Sequence, residues 1–213
     1  MVFRQESGQQ NLMLDVLAKA LEFAYIGIMA KQTSNRRQIA ISWCFPPPTW
    51  FKLNSDGSSL GNSGKEGGGG LIRNDKREWL KGYARNVGYS TSVAVELWAL
   101  RDGLRLCIAL KLLAMIIKLD AKLIVDPLQK SDGHRNCIDA LISDCKTELE
   151  NIPRVQINHC YCEVNKCTNA LARRGAILSQ DFVIFLDPPA DVSLLLSLDS
   201  AGVAYDRLLL SSV

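Results

Sequence analysis

The stretch over residues 50–70, WFKLNSDGSSLGNSGKEGGGG, constrains the fold more than any other. Trp50, Lys52, Asn54 and Asp56 alternate with Phe51, Leu53 and Ser55. That period of two follows prolines 46–48 and precedes Gly57, which predicts a strand ending at or near Asp56. The glycines that follow permit close backbone approach, so the chain is expected to turn and return as a neighbouring strand over 68–74. An acid is thereby presented near a strand end, with room beside it for other elements.

Further elements follow in order. Strand candidates over 70–74 and 78–84 flank Asn74-Asp75-Lys76-Arg77, a hairpin-turn composition. Ser90, Thr91 and Ser92 are N-cap candidates for a helix reaching about residue 110. Its apolar stripe is Val93, Leu97, Leu100, Leu104 and Ile108, and Glu96 lies on the border of that stripe. Residues 115–119 fit a buried strand ending in Asp120, which a parallel crossover would return beside the first strand. Residues 121–129 read as a short helix interrupted by Pro127, 138–149 as an amphipathic helix, 155–160 as a fifth strand and 165–177 as a closing helix. Upstream, Leu14, Leu17, Leu21, Tyr25 and Ile28 recur at helical spacing. The expected organisation is an amphipathic helix and basic linker over 1–42, one α/β domain over 43–180, and a tail over 181–213 whose leucines imply packing.

The remaining composition excludes little. A formal net charge of +3 neither requires nor opposes a nucleic-acid partner. Seven cysteines without framework spacing or a secretory signal predict reduced thiols, hence an intracellular protein of nucleus or cytoplasm. The apolar run over 12–30 contains Asp15, Lys19 and Glu22, so no membrane span is expected. Gly61 to Lys65 fails the phosphate-loop pattern at Ser59 and Glu66, and Cys160, Cys162 and Cys167 lack paired zinc knuckles.

Asp56, Glu96 and Asp120 are thus delivered by strand, helix and strand to one sheet edge. Each alone has an ordinary reading, as turn residue, solvated helix acid and helix N-cap respectively. Together, three carboxylates would raise one another's pKa values unless a cation neutralised them. Oxygen-only ligands favour Mg²⁺ or Mn²⁺, and two such ions support in-line hydrolysis of a phosphodiester.

The runs WCFPPPTWFKLNSDGSSLGNSGKEGGGGLIRND, ARNVGYSTSVAVELWALRDGL, IKLDAKLIVD and HCYCEVNKCTNALARRGA closely resemble the ribonuclease H type-1 domain of plant non-LTR retrotransposon-derived, reverse transcriptase-like proteins. The resemblance implies a ribonuclease H-like fold: a five-stranded mixed sheet, three antiparallel strands and two added through helical crossovers, flanked by helices. It further implies endonucleolytic, metal-dependent hydrolysis of the RNA strand of an RNA–DNA hybrid by a monomer using two Mg²⁺ or Mn²⁺ ions. By position Asp56, Glu96 and Asp120 match three metal-binding acids, and His159 matches a histidine near the scissile phosphate. Where the family's helix usually reads Ala-Asp-Ala-Leu-Ala, this chain has Thr168-Asn169-Ala170-Leu171-Ala172, so the fourth metal position is an amide. An amide oxygen still coordinates but lacks charge, which implies weakened activity; the alternative is a non-catalytic nucleic-acid-binding module of retrotransposon origin. By the same resemblance Ser58, Ser59, Asn62 and the backbone at Gly64 contact the 2′-hydroxyls of the RNA strand. Lys166, Arg173 and Arg174 on the last helix could meet phosphates or be solvated.

Overall fold

A computed structural model describes residues 36–60, 64–129 and 137–210. The amphipathic helix expected over 12–30 and the loop residue Asn62 lie outside the described residues. The chain divides into two compact units, residues 41–205 and a smaller one whose described parts are 36–40 and 206–210. Strands β1 (Arg36–Ser42) and β8 (Ala204–Leu210) pair as a two-stranded sheet.

The larger unit is built on a six-stranded sheet in the order β6-β5-β2-β3-β4-β7. Its strands are β2 (Phe51–Leu60), β3 (Lys65–Arg73), β4 (Trp79–Gly88), β5 (Ala114–Leu119), β6 (Arg154–His159) and β7 (Phe182–Phe185). The helices are α1 (Ser92–Ala109), α2 (Lys122–Gln129), α3 (Cys137–Glu150), α4 (Lys166–Ala176) and α5 (Ala190–Ser200). Strands β2, β3 and β4 form an antiparallel meander, and β5 and β6 add in parallel, each after a helical crossover.

The five-stranded sheet expected from the sequence is corrected to six. Residues Phe182–Phe185 pair antiparallel with Gly82 to Arg85 at the outer edge of β4. The strand over 50–56 is also longer than its pattern predicts. Parallel pairing to β5 stops at Asn54 opposite Lys118, whereas antiparallel pairing to β3 continues to Leu60 opposite Lys65. Asp56 therefore lies beyond the end of the strand on one side and inside the ladder on the other. Pro127 does not end α2. It removes one N–H, and the carbonyl this frees belongs to Leu123, which is exposed.

Period-two alternation separates two cores. Leu53, Ile72 and Tyr83 face α1 and α3, meeting Leu97, Leu100, Leu104 and Cys145 in one fully buried cluster. Leu71, one residue from Ile72, points the other way onto Cys167 and Leu171 of α4 and Val192 of α5. Thr91 caps α1 by accepting a hydrogen bond from the Ala94 N–H.

The glycine run is what lets α4 lie against β3. A Cβ at Gly67 would stand 2.1 Å from the Ala176 nitrogen, and one at Gly69 would stand 2.4 Å from the Ala172 nitrogen. No side chain fits between this strand and this helix, so the backbone of α4 packs directly on the sheet. Helix α5 is fastened beside it by an ion pair between Arg73, 1% exposed, and Asp199 at 2.7 Å. The Arg73 guanidinium also stacks 3.6 Å from the Trp43 ring centroid. Leaving either charge of such a pair alone in the interior costs about 3–5 kcal/mol.

Candidate active site

Register brings the first two acids together. The parallel pairing of Asn54 with Lys118, continued two residues on, sets Asp56 beside Asp120. The next pairing outward, Leu119 with His159, sets the histidine beside the same acid. Glu96 arrives because α1 crosses the sheet at Gly57, where a Cβ would lie 3.0 Å from the Glu96 nitrogen and 3.2 Å from its carboxyl carbon. A larger residue at 57 would push the helix, and Glu96 with it, away from Asp56.

Carboxylate oxygens of Asp56, Glu96 and Asp120 all lie within 4.8 Å of one another. Asp56 is 2% exposed. Burial, then the charge of Asp120, push its carboxyl up to about 8, against the opposing effect of a hydrogen bond from Asn169. Burial followed by Asp56 and Asp120 pushes Glu96 up to about 9. Burial likewise raises Asp120, while the neighbouring His159 and a hydrogen bond from Asn165 oppose the shift. The Gly57 N–H donates to this group and favours ionisation of both Asp56 and Glu96.

The group fits a hard divalent cation. Asp56 Oδ2 and Glu96 Oε2 are both buried and accept no hydrogen bond from any described residue. Buried carboxylate oxygens left without donors are costly, and a cation shared among three of them removes both that cost and their mutual repulsion.

Folded-state values above the ordinary carboxylate range mean that the folded protein binds more protons than the unfolded chain between about pH 4 and about pH 9. Stability should therefore fall as pH rises through that window. In chelator the melting temperature is expected to drop by roughly 5 °C or more between pH 5 and pH 9, on a scale of about 3 °C per kcal/mol. Mn²⁺ is expected to restore most of the loss at the alkaline end, and Asp56→Asn to flatten the dependence. Thermal melts at both pH values, with and without the ion, check this.

Asn169, on the second turn of α4, reaches the same pocket and hydrogen-bonds Asp56. His159 donates from Nε2 to the Asp120 backbone carbonyl at 3.0 Å and meets the Tyr161 ring edge-on, 5.2 Å between centroids. Ser58 and Ser59 continue β2 past Asp56, paired with Gly67 and Glu66. Gly64 has φ +67°, and the exposed Tyr89 ring lies against it, 3.0 Å from where its Cβ would be.

One positioning residue escapes sequence reasoning. Asn165, 2% exposed, accepts from the Asn54 side chain at 3.0 Å and donates to the Ser55 carbonyl at 3.2 Å and to Asp120. It ties the segment before Asp56 to the acid on the next strand. Its one signal in the sequence is its place four residues before Asn169, hence on the same side of the helix entry.

The sequence profile of the reverse transcriptase-like family matches residues 54–175, which spans every residue of this pocket. An Arabidopsis thaliana protein named for ribonuclease H is 31% identical over 175 residues, 82% of this chain. The chain spans 28% of the length of that relative. Among solved structures, the N-terminal RNase H domain of a Mycobacterium tuberculosis protein superposes with a TM-score of 0.56 at 20% identity, covering 60% of this chain and 93% of that one. RNase H1 from Halobacterium salinarum gives 0.55 at 18% identity, covering 59% and 96%. LC11-RNase H1, solved with an RNA/DNA hybrid, gives 0.54 at 21%, with the same coverage. At these identities the structures speak to the fold, and the profile speaks to the lineage. No helix of the described residues is long and apolar enough to cross a membrane. The chain belongs to the reverse transcriptase-like family and has the ribonuclease H fold.

Proposed function

We propose that this pocket hydrolyses the RNA strand of an RNA–DNA hybrid with the help of divalent cations. One observation carries the reading: three carboxylates from separate elements meet within 4.8 Å, in a buried pocket of a ribonuclease H fold, with oxygens left unsatisfied. A relative of the same fold was solved on such a hybrid, which supports the choice of substrate.

Asp56, Glu96 and Asp120 would hold the cations, with Asn169 offering its side-chain oxygen as a neutral fourth ligand. When bound, Mg²⁺ or Mn²⁺ supplies charge to the scissile phosphate and lowers the pKa of the attacking water. The protein's part is positional. The β2–β5 register and Asn165 fix the two strand acids, and the close approach at Gly57 fixes Glu96. His159, oriented by its bond to the Asp120 carbonyl, leaves Nδ1 free to hold or release a proton at the leaving oxygen. Ser58, Ser59, Asn62 and the backbone at Gly64 are assigned to the 2′-hydroxyls of the RNA strand, which distinguish it from DNA.

A second reading, a module that holds hybrid without cutting it, is favoured by Asn169 itself. Its amide donates to Asp56, so the fourth position satisfies an acid instead of adding one. The two readings separate on cleavage of a labelled hybrid in Mg²⁺ or Mn²⁺, which chelator should stop. Binding in chelator without cleavage in either ion would select the module.

A further inference from the structure

A cleft of about 720 Å³ opens directly from the acid cluster and follows the length of α4. Asp56 and Asn169 line it at the cluster. Lys166, Arg173 and the C-cap Ile177 continue along one face of the helix, three, four and eight residues from Asn169. The opposite wall carries Asp191 and Leu195 of α5, a helix lying outside the stretch matched by the family profile. The second wall is thus supplied by a segment beyond the stretch that the profile covers.

The charges of the cleft are unequally engaged. Arg174 pairs with Asp191 at 2.6 Å, and the Lys166 ammonium lies 3.6 Å from the Tyr205 ring centroid. Arg173 is exposed and makes no ion pair among the described residues. Lys166 and Arg173 are two helical turns apart, about 10 Å along the axis. The cleft thus presents separated cations beside apolar surface from Leu60, Ile177 and Leu195, starting at the acids assigned to hydrolysis. Cations spaced along an apolar trough suit a phosphate backbone with its bases laid against the wall. A volume in the range of small-molecule sites has room for a few nucleotides of one strand and is too small to enclose a duplex.

We infer that this cleft receives the single strand of RNA continuing from the cleaved phosphate, so that the chain acts preferentially where the RNA of a hybrid runs on past the duplex. The inference rests on the ribonuclease reading, because that reading makes the strand at Asp56 RNA.

The test is fluorescence anisotropy of the full chain in chelator, which removes cleavage from the readout. It compares a blunt RNA–DNA hybrid with hybrids bearing an RNA overhang of about four nucleotides at one end or the other. One overhang is expected to tighten binding about tenfold, with a steeper salt dependence. Lys166→Gln with Arg173→Gln should remove that gain, so that blunt and overhanging hybrids bind the variant equally. A second readout needs no variant. The exposed Cys162 thiol lines the cleft and the exposed Cys44 does not. The favoured overhang should slow alkylation of Cys162 and leave Cys44 unaffected. Equal affinity for blunt and overhanging hybrids overturns the cleft assignment and leaves the ribonuclease reading standing. A gain without protection of Cys162 also overturns it, and failure to bind either hybrid overturns both.

Discussion

Asp56→Asn is expected to reduce hybrid cleavage by on the order of 10³-fold or more, with the fold intact and hybrid binding retained. Asp56 stands at the centre of the site: its carboxyl interacts with Glu96, Asp120 and Asn169, and it is the most buried of the three acids. Replacing it removes one of the three charged oxygen ligands of the cluster. The same change removes a carboxylate that burial holds near 8, so the variant should melt higher than the parent at alkaline pH in chelator. A variant that is more stable, binds hybrid and does not cut separates loss of chemistry from loss of structure. Single-turnover cleavage and thermal melts on one preparation measure both.

Asn169→Asp is the second large effect, in the opposite direction. An acid here would replace a neutral ligand with a charged one and convert a donor to Asp56 into an acceptor. Cleavage in Mg²⁺ is expected to rise on the order of 10–100-fold, because affinity for a divalent ion follows the charge of its ligand set. Without metal a fourth negative charge has nothing to neutralise it. The variant should therefore melt lower than the parent in chelator and gain more from Mn²⁺. A rate increase without that loss of metal-free stability would mean that residue 169 acts through something other than charge at the cluster.

The parts of this site legible in the sequence sit on regular elements. Asp56 and Asp120 follow alternating or apolar strand patterns, and the parallel crossover implied by the intervening helix places one beside the other. Glu96 is readable because helical periodicity puts it at the border of an apolar stripe. His159 and Asn169 carry no such signal and enter through resemblance, since a histidine after a strand and an asparagine on a helix have many ordinary uses. Properties set by tertiary packing are not legible. The run Phe182–Phe185 is four apolar residues, too short for periodicity to distinguish strand from coil, and becomes a strand only because β4 offers it an edge. Asn165 looks like any residue before a helix until its side chain is seen joining Asn54, Ser55 and Asp120. The glycine run over 67–70 suggests close approach, but only the fold shows that α4, and with it Asn169, is what approaches.

On the proposed ribonuclease reading, the three acids and Asn169 suffice for metal-dependent cutting. That sufficiency is tested most directly by incubating the unaltered chain with a hybrid labelled on its RNA strand, beside a DNA duplex of the same sequence, in Mg²⁺ and in Mn²⁺. Cleavage of the RNA strand is expected, faster in one of the two ions, stopped by chelator and absent from the duplex. Intact RNA in both ions, from a folded chain that binds the hybrid, would contradict that reading.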